Sequence, residues 1–419
     1  MSQKHVAIVD GAWVGHHPSY VRIFAKTLLE AGYRVSVFCP SPDEVTGCFN
    51  CNDSLGVDEL TAYYFIDLDN STILKHWPER IRKAVISIPQ WLHMASAFKS
   101  KFNSKNAPDI IFFAWADIYL KGYLPCWLLD KIFPFSWSGL FFHPRHLRRN
   151  NPSRRGRFIH PREEFLANSS YASSIAVLDE GIADLMQSKL SGKKVITLPD
   201  FTDETPAADI NHIASDIRER ARGRKVIGLL GDLARRKGLL TLIRMAAQYT
   251  KNDWYFVIVG RLHEGTFSTD ELTEIKSFID SQRDNCYVRL GFIESEAQFN
   301  ALIDVCDAIF AIYVNFPHSS NLLTKAAQFR KRVLVSTGGY MEEVVKRYYL
   351  GEAVSEGDVM SGLEVLERWF ATPISQEELA GMAEYAKRQS LTTLRKTFLE
   401  LIGDAINAKL ATASPNQHS

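Results

Sequence analysis

Nothing in this chain of 419 residues is suited to crossing a bilayer, because no run approaches the ~18 uninterrupted apolar residues that a spanning helix needs. The densest apolar stretch, YLKGYLPCWLLDKIFPFSWSGLFF at residues 119–142, is broken by Lys121, Gly122, Pro125, Asp130, Lys131, Pro134 and Gly139. Such a stretch can lie on a membrane surface but not traverse it. The N-terminus has no charged lead, apolar core of signal length or cleavage site before VAIV, which predicts a cytoplasmic protein. An excess of one charge sign is missing too. Lys and Arg number 49 against 48 Asp and Glu, for a net charge of +1, so no whole-protein field draws in nucleic acid. No nucleic-acid-binding module is recognisable either. Cysteine is scarce: the six, Cys39, Cys48, Cys51, Cys126, Cys286 and Cys306, are scattered and mostly inside apolar runs. That pattern reads as reduced thiols in a cytosolic compartment, not a disulfide framework. Cys48 and Cys51 form one CxxC, but no second pair or His pair at zinc spacing follows, so no metal is expected. Short tandem repeats are also absent.

What is present is a soluble globular composition, 46% hydrophobic and 23% charged, in a chain too long for one ordinary core. HVAIV and RVSVFC are short β-branched runs of the kind buried in parallel sheets. Between them, PSYVRIFAKTLLEAG puts Val21, Phe24, Ala25 and Leu28 on one helical face, with Pro18 suited to the first turn and Gly32 to the end. Strand, glycine-containing turn, helix and strand make a βαβ unit. Further strands are expected at DIIFFAW (109–115), SGLFFH (138–143), SSIAVL (173–178) and KKVITLP (193–199). DFTDETPAADIN then reads as a linker. A second alternating series follows: KVIGLLG (225–231), WYFVIVG (254–260), CYVRLGF (286–292), AIFAIYV (308–314) and RVLVST (332–337). The expectation is an α/β protein of two Rossmann-like doubly wound domains facing across a cleft, over residues 1–200 and 201–390. A C-terminal helix and tail, 391–419, are expected to cross back to the first domain. Ligands of such sheets bind beyond the carboxyl ends of the strands.

The candidate site residues stand in the turns after strands. GAWVGHHPSY follows the first strand and carries Gly15, His16 and His17. An imidazole transfers protons near neutral pH, and His16 is the preferred candidate base; a helix-capping or backbone-bonding histidine would read the same way. Asp117, in FFAWAD, stands just past a strand, where a carboxylate meets a ligand hydroxyl or caps the next helix. His143, in FFHPR, is similarly placed. In GDLARRKG, Arg235, Arg236 and Lys237 precede a helix opened by Gly238. Cations at a helix N-terminus favour a diphosphate. Ser319, Ser320 and Asn321 open another helix with hydroxyls and amides suited to phosphate oxygens, or to simple capping. Seven arginines lie between Arg145 and Arg162 with no acid until Glu163. A solvated loop is one reading, and contact with lipid headgroups or a phosphorylated acceptor is the other. The aromatic residues just before, Trp127, Phe133, Phe135 and Trp137, suit a membrane interface.

In order along the chain, GDLARRKG, FVIVG, VRLGF, AIFAIY, HSSNLLTKAA, KRVLVS and GGYMEEVVKRYYLGEAV resemble the donor-binding domain of GT-B glycosyltransferases, the retaining family 4 group in particular. GHHPSYVRIFAKTLLEAGYRVSVFCP resembles that family's opening glycine turn and helix, and IAVLDEGIADLM with ITLPDF resembles the segment before its hinge. GHHP is also similar to the G-H-x-x-P turn of inverting plant-type glucosyltransferases, in which the histidine is the base. The resemblance covers nearly the whole chain. It implies transfer of a hexose from a nucleotide diphosphate sugar, most simply a UDP-sugar, to a hydroxyl acceptor such as a lipid, glycan or metabolite. It implies retention of configuration and no cofactor beyond the sugar-nucleotide co-substrate. The donor-binding set would be Gly15, Arg235, Arg236, Lys237, Ser319, Ser320, Asn321 and Glu342, and the catalytic set His16, His17 and Asp117. The chain departs from the family pattern where its G-R-L arginine falls on Asp232 and its Glu-x7-Glu on Pro317 and Lys325. Glu342 or Glu343 would then serve the ribose, and Arg235 or Arg236 the missing arginine. A nucleotide-sugar epimerase, or a non-catalytic sugar-binding partner on this fold, would share these motifs.

Overall fold

The computed structural model describes residues 3–15, 17–50, 59–68, 79–103, 106–119, 124–142, 163–190, 192–202, 204–208 and 211–413. The chain divides into two compact units, one of Met1–Leu198 with Leu394–Ser419 and one of Pro199–Thr393.

The first unit runs β1 (His5–Val9), α1 (His17–Glu30), β2 (Arg34–Cys39), α2 (Pro42–Asn50), β3 (Leu60–Tyr64), α3 (Glu79–Lys101) and β4 (Ile110–Phe113). It continues through α4 (Cys126–Ile132), β5 (Trp137–Phe141), β6 (Ala172–Val177), α5 (Glu180–Gln187) and β7 (Val195–Thr197). The second begins with α6 (His212–Ala221), β8 (Lys225–Leu233), α7 (Leu239–Gln248), β9 (Trp254–Leu262), α8 (Thr269–Asp280), β10 (Cys286–Leu290) and α9 (Glu296–Val305). It ends with β11 (Ala308–Ala311), α10 (Asn321–Gln328), β12 (Arg332–Ser336), α11 (Tyr340–Arg347), β13 (Gly351–Val354), α12 (Val359–Ala371) and α13 (Gln376–Arg388). The last helix, α14 (Leu391–Ala413), belongs to the first unit from Leu394 onward.

Among the described residues each unit has one parallel sheet, ordered β3-β2-β1-β4-β5-β6-β7 in the first and β10-β9-β8-β11-β12-β13 in the second. Buried apolar strands with helices on both faces are what the alternating runs require. In the first sheet Ala7, Val9, Ile111 and Phe113 face Trp91 and Phe98 of α3. The opposite face packs under α1 and α14, where the Phe398 ring lies 4.3 Å from Phe24 and 4.9 Å from Phe112. The stretch read as a linker begins where the two units meet, and its described residues include contacts to the second unit. Ala208 N–H donates to Ala297 at 3.0 Å, and Asn300 Nδ2 donates to the Thr205 carbonyl at 2.6 Å. Backbone groups of Thr205 and Ala208 thus find partners on α9. Among the described residues no helix is long and apolar enough to cross a membrane.

Chain direction turns outward from the first strand of each sheet, so the strand order reverses between β1 and β4 and between β8 and β11. Ligands of doubly wound sheets lie outside the carboxyl ends of the strands at such points. The candidate residues collect there.

Candidate functional site

In the first unit, β1 runs into Asp10, which is 1% exposed. Helix α1 opens on His17, itself buried, with Nδ1 lying 2.9 and 2.8 Å from the two Asp10 carboxylate oxygens. The His17 ring stacks on Trp115, just past β4, at 4.0 Å between centroids. Trp115 in turn stacks on Phe142, just past β5, at 3.7 Å. The carboxyl ends of β1, β4 and β5 thus converge on one imidazole. A carboxylate only accepts, so Nδ1 is the donor of this pair and Nε2 is the ring nitrogen it leaves unengaged by Asp10. Stacking fixes the plane of the ring. The Gly11 N–H donates to the Tyr119 hydroxyl at 2.8 Å. Burial, with the charges of Asp67 and Asp10, pushes that phenol well above its ordinary range.

Gly15 takes a left-handed conformation at φ 62°, and its Cα faces open space. Asp117 lies half-buried in a 3₁₀ turn, Ala116–Ile118, between Trp115 and Tyr119. His16, Cys51, His143 and the arginines from Arg145 to Arg162 lie outside the described residues.

In the second unit, β8 leads into the 3₁₀ turn Arg235–Lys237. The turn closes on Gly238 at φ 76°, where a side chain would meet the Ile312 carbonyl 2.1 Å from its Cβ, so only glycine fits. Lys237 Nζ crosses the switch point and donates to the Tyr313 hydroxyl at 2.7 Å, past β11, 4.0 Å from that ring's centroid. The Arg236 carbonyl accepts from Val314 N–H at 2.8 Å, and its guanidinium lies 5.4 Å from the Phe316 ring. Tyr340 N–H, after β12, donates to the Pro317 carbonyl at 3.1 Å. The turns after β8, β11 and β12 are therefore bound together around residues 313–317. That segment leads directly to Ser319, Ser320 and Asn321 at the start of α10.

The remaining candidates are otherwise engaged. Arg235 Nε donates to Glu271 at 2.7 Å. Ser320 occupies the N-cap position of α10, yet its hydroxyl makes no capping bond. The helix's first N–H groups are thereby not covered by the cap that its sequence position suggested. Glu342 accepts from Gly338 N–H and from Lys346, both at 2.6 Å. The Lys346 ammonium and that N–H hold its carboxyl below the usual range. Lys325 is 3% exposed, and its Nζ lies 2.7 Å from Glu296 and 2.8 Å from Asn300, joining α10 to α9. It is a packing cation, not a ligand group. Among the described residues no cluster of His, Cys, Asp or Glu is placed to hold a metal ion.

No protein-family model matches the chain, and no curated protein matches it. Solved structures do match. The α,α-trehalose 6-phosphate synthase of Burkholderia multivorans superposes with a TM-score of 0.66 at 13% identity, over 99% of this chain and 100% of that one. Sucrose-phosphate synthase from Thermosynechococcus elongatus gives 0.64 at 15% identity, over 98% and 100%. Anabaena HepE, solved in complex with UDP, gives 0.63 at 14% identity, over 96% and 100%. The chain has the GT-B fold.

On this GT-B frame the structure adds residues that the motif reading passed over. Asp10 and Trp115 hold His17, and Tyr313 holds Lys237. Asp10 had a visible signal, an acid closing a buried strand one residue before a glycine turn. Trp115 and Tyr313 had none, since each stands just past a strand remote in sequence from its partner.

Proposed function

We propose that this protein is a glycosyltransferase that moves a hexose from a nucleotide diphosphate sugar, most simply a UDP-sugar, to a hydroxyl acceptor such as a lipid, glycan or metabolite. The observation that carries the reading is the Lys237–Tyr313 bridge across the β8/β11 switch point, in the turns that lead to the N-terminus of α10. A cation beside a helix N-terminus at a strand-reversal point suits a diphosphate. The occurrence of UDP in the HepE structure, on the same fold, supports that choice of nucleotide.

In this reading Lys237, Arg236 and the N–H groups at Ser319, Ser320 and Asn321 take the charge that develops on the leaving diphosphate. Arg235 and Glu342 support the turns that carry them. The first unit takes the acceptor, with His17 as the base that receives its hydroxyl proton at Nε2 and Asp10 as the group that orients it. Asp117 stands beside Trp115 as an acceptor contact.

Thermal unfolding with UDP and UDP-glucose tests the reading. A ligand at 100 times its dissociation constant adds about 2.7 kcal/mol to stability. A rise in midpoint with UDP that is lost in Lys237→Ala supports the donor site, and no rise with any nucleotide ends it. Release of UDP that requires an added acceptor separates transfer from epimerisation of the donor alone.

A further inference from the structure

The carboxyl end of β8 carries one carboxylate among basic groups. Asp232 stands opposite Arg261 of β9, in the register that pairs Gly231 with Gly260 and Leu233 with Leu262. Its Oδ1 accepts from His263 Nε2 at 2.9 Å and lies 3.7 Å from an Arg261 guanidinium nitrogen. Among the described residues both contacts fall on Oδ1, and the side chain is 55% exposed, which leaves Oδ2 facing solvent. Burial alone would raise this carboxyl, but the hydrogen bond from His263, with the charges of His263, Arg261 and Lys237, outweighs it and holds the group below its usual range.

A bare carboxylate next to Lys237 would repel a diphosphate. Here the surrounding cations cancel that repulsion and keep the group ionised, the form that accepts hydrogen bonds from hydroxyls most strongly. Other carboxylates near the switch point are taken. Glu342 is bound by Gly338 N–H and Lys346, and Glu356 by Asn315 N–H at 2.6 Å. Lys325 faces Glu296 and Asn300 and offers no acceptor.

We infer that Asp232 is the hydroxyl acceptor of the donor site, its Oδ2 receiving the vicinal diol of a nucleoside diphosphate sugar while Lys237 receives the diphosphate. The inference rests on the donor-site reading above. Two diols share this chemistry, that of the ribose and that of the hexose.

Isothermal titration of the full chain and of Asp232→Asn with UDP, 2′-deoxy-UDP and UDP-glucose distinguishes them. A lost hydrogen bond to a charged group corresponds to about tenfold or more in affinity. If the ribose diol binds Asp232, the variant loses about tenfold for both UDP and UDP-glucose and no affinity for 2′-deoxy-UDP. If the hexose diol binds it, the variant loses about tenfold for UDP-glucose alone. Equal or tighter binding of UDP and UDP-glucose by the variant, with UDP still bound by the unaltered chain, overturns the inference and leaves the donor site standing. Failure of the unaltered chain to bind any of the three removes both. A circular dichroism melt of the variant matching that of the unaltered chain confirms that it is folded, as expected for so exposed a side chain.

Discussion

Lys237 and Tyr313 belong to turns on opposite sides of the point where the second sheet reverses its strand order, and a 2.7 Å hydrogen bond joins them. The bond places the ammonium between two strand ends without consuming its other donors. Lys237→Ala should lower UDP affinity by about 10- to 100-fold, the range for a charged hydrogen bond. Tyr313→Phe should cost only a few-fold, because the ring stays and only the hydroxyl goes. Calorimetric titration of the pair checks the order; equal losses would mean that Tyr313 itself contacts the nucleotide.

His17 and Asp10 make the corresponding prediction for the first unit. Removing a general base typically costs 10²- to 10⁴-fold in rate. His17→Ala should lower kcat by that order while leaving the affinity for UDP unchanged. Asp10→Asn keeps the shape but frees the tautomer, and should cost a smaller factor in kcat. Steady-state rates measured beside UDP titrations decide it, and rates that stay unchanged in both variants would remove His17 from the chemistry.

Lys325 provides a test from the opposite direction. The family 4 pattern that the sequence resembles has a glutamate at this position, which makes Lys325→Glu the nominal restoration. The structure predicts harm instead, since the new carboxylate would be buried against Glu296 with its cation gone. An uncompensated buried charge costs about 3–5 kcal/mol. The variant should unfold at a markedly lower temperature and gain no donor affinity. A folded variant that binds UDP-glucose more tightly would falsify the packing role.

Stability of the first unit should depend on pH through His5. Burial, reinforced by the Arg34 guanidinium, lowers its imidazole from 6.5 to about 4. Nδ1 lies 3.0 Å from that guanidinium and Nε2 2.9 Å from the Ser36 hydroxyl, the arrangement of a neutral ring. Between these two values the unfolded chain takes up the proton and the folded one does not. The stabilisation is therefore complete above about pH 6.5 and declines as pH falls toward 4. Urea midpoints measured across that window should fall less steeply in His5→Gln. Identical slopes would assign the pH dependence to other groups.

The sequence disclosed the architecture better than the site. Runs such as WYFVIVG and the VLV of RVLVS are apolar because both faces of those strands are covered, and that pattern survives without tertiary information. The edge strands β3 (LTAYY) and β13 (GEAV) are partly exposed and short, so they lack the signature and were not legible. Basic and glycine-rich turns in the second unit were legible as turns that follow strands. What each side chain does there depended on contacts between distant segments. Arg235 turns to Glu271, Lys325 to Glu296, and Glu342 back onto its own helix, and no local pattern encodes those choices. The histidine turn was legible as a turn and Asp10 as the acid closing its strand, but their pairing was not, because nothing in the spacing aims the His17 ring at that carboxylate.

The return of α14 to the first unit has a consequence for biosynthesis. Leu394, Phe398, Leu401 and Ile402 are fully buried, with Phe398 covering Phe24 and Phe112. Residues translated later thus seal a surface made by residues translated earlier, whereas the second unit is one uninterrupted stretch. On the ribosome the second unit can complete its fold while the earlier part of the first waits, its aromatic face bare, for α14 to emerge.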